Sequence, residues 1–143
     1  LSILKKENIV LQAKVTDKTE AIRLAGTILL EQGYVEELYI EKMFEREALT
    51  STYMGNFVAI PHGTEDARQL VKQAGLSIVQ VPNGVDFGDG NMVKLLIGIA
   101  GKDNEHLEIL SKIAIVCSEE ENIEKMIKAT TEEEILELLN GVN

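Results

Sequence analysis

The chain carries only two histidines, and each falls at the boundary of a local pattern. In NFVAIPHGT, residues 56–64, an alternating apolar run ends at a proline and the first histidine follows it. Pro61 lacks an N–H and drives Ile60 into an extended conformation, which suits the close of an edge or terminal strand. His62 then begins a turn. Gly63 tolerates unusual backbone angles and leaves room above the ring, so an accessible imidazole is expected. A neutral imidazole needs little activation to attack electrophilic phosphorus, which suits reversible transfer. A histidine satisfied in the core or at a cap is the commoner explanation for any single imidazole, and position alone does not exclude it for His62.

His106 falls in the first turn of a helical pattern, on the same stripe as Leu110, Ile113 and Cys117. It can serve as a core-edge histidine bonded to a backbone carbonyl. It can equally use the unpaired N–H groups and positive dipole end of the helix, which favour a phosphoryl group and keep a nearby imidazole neutral. Arg46, near the end of another helical pattern, would complete an anion site, because a planar guanidinium holds two phosphoryl oxygens and never loses its charge. Its alternative is a solvated surface charge. Spacing by itself does not bring His62, His106 and Arg46 together. With two histidines 44 positions apart and no HExxH-like spacing, a metal-binding or hydrolytic centre is a poor fit, and neither metal nor cofactor is expected.

The elements that must position these groups follow from periodicity. TDKTEAIRLAGTILLEQG reads as a helix with Thr16 or Asp17 as N-cap, Glu20 as capping-box partner, Gly33 past its end, and an apolar face of Ile22, Ala25, Leu29 and Leu30. VEELYIEKMFEREAL repeats the pattern, with Leu38, Tyr39 or Met43, Phe44 and Leu49 as its apolar face and Arg46 near its C-terminal end. FVAIP, AGLSIVQV and NMVKLLIGIA read as strands, separated by turn chemistry at Pro82-Asn83-Gly84 and Gly88-Asp89-Gly90. A helix capped by Asp103 or Asn104 follows, then two shorter ones in EENIEKMIKA and TEEEILELLNG. The expected fold is α/β: one layered domain over residues 1–143, with a mixed sheet of about four to five strands flanked by helices.

Composition narrows the function class. At 143 residues, with 45% hydrophobic and 27% charged side chains, the chain can bury a true core in one domain. No apolar stretch approaches the roughly 18–20 residues of a membrane helix, and no signal peptide is evident, so a cytoplasmic protein that does not span the membrane is expected. One cysteine, Cys117, excludes an internal disulfide and reads as a small buried thiol. A net charge of −10, scattered lysines and arginines, and three Phe, three Tyr and no Trp make nucleic acid an unsuitable partner.

REALTSTYMGNFVAIPHGT (46–64), VPNGVDFG (81–88) and IGIAGKDNEHLEIL (97–110) together resemble the IIA component of the mannitol-specific bacterial phosphotransferase system, over nearly the whole chain. The resemblance implies a phosphocarrier, an enzyme of the phosphotransferase class with a phosphohistidine intermediate. The family's phosphorylated histidine matches His62, its second active-site histidine His106, and its active-site arginine Arg46. Phosphorylated HPr would donate to His62, at Nε2, and a cysteine of the IIB component would accept. The sugar would bind elsewhere, and docking would use a modest apolar patch around His62 with acidic residues outside it. Asn56 departs from the family, where this position is often acidic, so a role for that carboxylate in tuning the histidine pair is in doubt. The alternative is a nitrogen-related regulatory IIA protein that signals through its phosphorylation state; a purely structural interaction domain is a third reading.

Overall fold

The computed structural model describes residues 3–102 and 104–142. A five-stranded mixed sheet runs in the order β1-β4-β5-β3-β2, from β1 (Ile9–Val10), β2 (Tyr53–Gly55), β3 (Val58–Ala59), β4 (Gly75–Asp86) and β5 (Met92–Ala100). β4 and β5 form the long antiparallel centre; β1 joins β4 and β3 joins β5 in parallel, and β2 turns back on β3. Helices α1 (Lys18–Glu31) and α2 (Leu38–Leu49) cover one face, and α3 (Glu105–Cys117), α4 (Glu120–Lys128) and α5 (Glu132–Leu138) the other.

Strand alternation explains the two cores. In β5, Leu96 and Ala100 pack toward α1 and α2, whereas Leu95, Ile97 and Ile99 pack toward α3 to α5. Both faces of the central stretches 75–81 and 95–100 are covered, so these stretches are largely apolar. A polar exception, Gln80, donates its amide to the carbonyls of Met126 and Ala129 at 2.9 Å each and so ties the end of α4 to the sheet.

The helix boundaries follow their signals. Asp17 caps α1 by accepting from the Glu20 N–H, and Gly33, at φ +82°, ends it with Gly33 N–H to Leu30 O and Tyr34 N–H to Leu29 O, the paired closure that needs a left-handed residue. Thr131 and Glu134 form a capping box on α5. Asn104 precedes α3 without a side-chain capping bond, and Asp103, the other expected cap, lies outside the described residues.

Three expectations are corrected. The buried face of α2 is Tyr39, Ile40, Met43 and Glu47, while Leu38 and Leu49 are exposed. Leu30 and Phe44 are only partly buried at the edge of the first core. Pro82-Asn83-Gly84 is not a chain reversal: β4 continues through it to Asp86, and the extra residues form a bulge between the Gln80–Leu95 and Val85–Val93 pairs. Proline is tolerated there because β1 pairs with β4 only at Ile78 and Val79, leaving that side of β4 without a ladder at Pro82. The short strands β1 and β2 carry too little alternation to be read from sequence.

Candidate active site

β3 and β5 run parallel, and their C-terminal ends deliver both histidines to one place. Beyond β3 the chain stays alongside β5: the Ile99 N–H donates to Pro61 O at 2.9 Å, and His62 bridges to Ile99. β5 then ends at Ala100, and α3 begins five residues later with His106 in its first turn. The crevice outside the carboxyl ends of parallel strands is the usual ligand position in open α/β sheets. The two imidazole centroids lie 5.1 Å apart at an interplanar angle of 56°.

The turn after His62 is fixed by Tyr39. Its hydroxyl donates to Ile99 O at 2.8 Å and accepts from the Gly63 N–H at 2.9 Å. Gly63 is required by contact: a Cβ there would stand 2.7 Å from the Tyr39 ring. Burial pushes the Tyr39 phenol up to about 12, so it remains a donor. Gly101 plays the matching part beneath His106, where a Cβ would stand 2.5 Å from the His106 Cα.

His62 was expected to be accessible, but it is only 8% exposed. The His106 ring lies beside it, and His62 borders a cleft of about 240 Å³ that is also lined by Tyr39, Arg46, Arg68 and the exposed Leu107. His62 Nδ1 lies 2.7 Å from Ile60 O. A carbonyl can only accept, so Nδ1 carries the proton and Nε2 keeps the lone pair. Burial pushes the His62 pKa below its ordinary value, and the Arg46 guanidinium pushes the same way, while the Ile60 carbonyl and Glu47 oppose them. Burial, then His62, Arg68 and Arg46, bring His106 down to about 4. Both rings are neutral at pH 7.

Arg46 gives one N–H to Thr50 O at 2.6 Å and borders the same cleft. The three residues singled out in the sequence therefore share one cleft. Asn56 does not: it sits at φ +50° in the β2–β3 turn and lines a separate pocket with Phe57 and Lys94. Among the described residues, no three His, Cys, Asp or Glu side chains converge as a metal-ligand set, and no helix is long and apolar enough to cross a membrane. Cys117 is buried, and burial pushes its thiol up to about 11. Sequence reasoning missed Tyr39 as an anchor, and Arg68 and Gly101; the pattern of α2 marked Tyr39 only as an apolar position.

The chain matches the family model for the phosphoenolpyruvate-dependent sugar phosphotransferase system, EIIA 2, over residues 2–142. It is 78% identical over 143 residues to the mannitol-specific phosphotransferase enzyme IIA component of Geobacillus stearothermophilus, covering all of this chain and 99% of that one. Its fold superposes with a TM-score of 0.91, at 41% identity and covering 96% of this chain and 97% of the other, on enzyme IIA in the complex of enzyme IIA and phosphorylated enzyme IIB for mannitol from Escherichia coli. The nitrogen regulatory protein IIA-Ntr of Neisseria meningitidis is similar at 33% identity and a TM-score of 0.83, with 96% of each chain covered.

Proposed function

The chain belongs to the phosphoenolpyruvate-dependent sugar phosphotransferase system EIIA 2 family, and we propose that His62 Nε2 is the atom through which it relays phosphoryl groups, from phosphorylated HPr to a cysteine of a mannitol IIB component. The observation that carries this reading is the 2.7 Å bond between His62 Nδ1 and Ile60 O, which assigns the lone pair to Nε2 on a ring bordering the cleft.

In the first step the Nε2 lone pair forms a bond to phosphorus as the N–P bond of the donor phosphohistidine breaks and its electron pair returns to the donor ring. No proton has to move at Nε2. Because Nδ1–H is retained, the phosphorylated ring carries positive charge, which the Ile60 carbonyl supports and which makes the ring a good leaving group for the second step. There the incoming thiolate forms an S–P bond and the N–P bond returns its electrons to Nε2. In-line positioning and neutralisation of the equatorial oxygens dominate such transfers. Arg46, with a fork of donors, and Arg68 flank the space for those oxygens, and His106 offers a neutral ring nitrogen within the same cleft. The exposed Leu107 at the cleft rim supplies part of an apolar docking patch.

Mannitol is the favoured polyol because the 78% identical relative is mannitol-specific. The nitrogen-related regulatory reading has less support, resting on a 33% identical structure. The direct test is incorporation of ³²P from phospho-HPr followed by transfer to a mannitol IIB component. His62→Ala is expected to abolish labelling with the fold intact. His106→Ala is expected to accept label and to pass it on poorly. Retained labelling of the His62 variant would move the acceptor elsewhere, and failure of the parent protein to label a mannitol IIB would favour the regulatory reading.

A further inference from the structure

Among the described residues, the one buried carboxylate next to the site is not part of the cleft lining. Glu47 follows Arg46 on α2, yet its side chain points into the protein and is 7% exposed as a residue. Its Oε1 accepts from the Thr52 N–H at 3.0 Å and from the Thr52 hydroxyl at 2.5 Å. Its Oε2 faces the Lys18 ammonium at 2.9 Å, as an ion pair reaching across from α1. A buried carboxylate with this many donors stays ionised: burial opposes its charge, but the hydroxyls of Ser51 and Thr52 and the Lys18 ammonium outweigh burial and hold its pKa below the usual range.

What Glu47 holds leads to the histidine in two further bonds. Thr52, itself buried, accepts the Ile60 N–H on its carbonyl at 3.0 Å. Ile60 in turn accepts the His62 Nδ1–H on its own carbonyl at 2.7 Å. We propose that Glu47 is a positioning residue for phosphoryl transfer: through Thr52 and Ile60 it fixes the tautomer and pose of His62, and its negative charge supports the ring in the charged form that carries the phosphoryl group. The role in transfer rests on the reading of His62 as acceptor.

The charged and titratable groups that face His62 oppose one another. Tyr39, Arg46 and Glu47 come from α2, His106 from α3, and the exposed Glu65 with Arg68 from the 3-10 turn Glu65–Leu70. Arg46 and His106 disfavour charge on the ring, one by repulsion and the other by excluding water, whereas Glu47 favours it. Among the described residues, Glu47 is the one carboxylate whose charge acts on His62 in this way. Lys18 neutralises part of that influence from the far side. Removal of Glu47 and removal of Lys18 must therefore move the imidazole in opposite directions, which a packing role alone would not do.

The experiment uses the unphosphorylated full chain, with the ring nitrogens of His62 followed by NMR across pH. Glu47→Gln keeps the side-chain shape and an acceptor for Thr52 but removes the charge. Its His62 is expected to titrate at lower pH than in the parent, and the rate of labelling by phospho-HPr to fall about tenfold. Lys18→Met is expected to move the His62 titration to higher pH, and being partly exposed it provides the second variant if Glu47→Gln fails to fold. Coincident His62 titration curves in the parent and either folded variant, or shifts of the same sign in both, overturn the proposal. So does normal labelling by Glu47→Gln. The titration is read without phosphoryl transfer, so an error in the acceptor assignment appears separately, as labelling of His62→Ala.

Discussion

At the residue scale, the site keeps two imidazoles uncharged by enclosing them. The folded pKa of His106 is about 4 against an ordinary 6.5, so below pH 6.5 the unfolded chain binds a proton that the folded chain refuses. The stability contributed by the neutral ring is complete above about 6.5, declines as pH falls, and is fully lost below about 4. His62 acts in the same direction. Denaturant titrations at stepped pH are expected to show a shallower loss of stability between pH 6.5 and 4 for His106→Gln than for the parent; identical slopes would mean that His106 is not held neutral. The types and neighbours of His62, His106 and Arg46 were legible in the sequence because proline, glycine and a helix start leave marks on it. The burial of His62 was not, because it depends on groups remote in the chain, such as the His106 ring beside it.

At the scale of elements, two glycines do opposite kinds of work. Gly101 has ordinary backbone angles but no space, since a Cβ there would meet the His106 backbone at 2.5 Å. Gly33 has space but a left-handed backbone at φ +82°. Gly101→Ala must displace the start of α3, at a cost of about 1–3 kcal/mol by overpacking, and His106 moves with it. Gly33→Ala costs about 1 kcal/mol through its backbone and leaves the cleft alone. Thermal melts combined with ³²P transfer to IIB should show both variants destabilised and only Gly101→Ala impaired in transfer beyond its loss of folded protein. Equal transfer by the two would detach the α3 start from the chemistry. The ends of α1 were readable because Asp17 and Gly33 satisfy local backbone groups. The face of α2 and the bulge at Pro82 were not, since the first depends on which side the sheet lies and the second on where β1 stops.

At the scale of the whole molecule, the cleft is assembled from both sides of the sheet: Arg46 and Tyr39 belong to the α1–α2 layer and His106 to the α3–α5 layer. The central strands tie the layers into one unit. Leu96 and Ile97 are adjacent, fully buried, and face opposite cores. Leu96→Ala and Ile97→Ala are each expected to cost about 2–5 kcal/mol, with urea transitions that coincide whichever layer carries the probe. Separated transitions would show two independently melting halves. An α/β sheet flanked by helices was legible from the order of periods, but strand order was not, because the parallel pairing of β3 with β5 is made by residues nearly forty positions apart. That pairing is also what brings His62 to His106. The single thiol has the opposite placement. Cys117 ends α3 eleven residues beyond His106, about 16 Å along the helix axis, sealed in apolar surroundings with its proton held to about pH 11. With His62 as the acceptor proposed above, a phosphoryl group on it is out of reach of this chain's own sulfur, so the thiolate that discharges it must arrive on another chain.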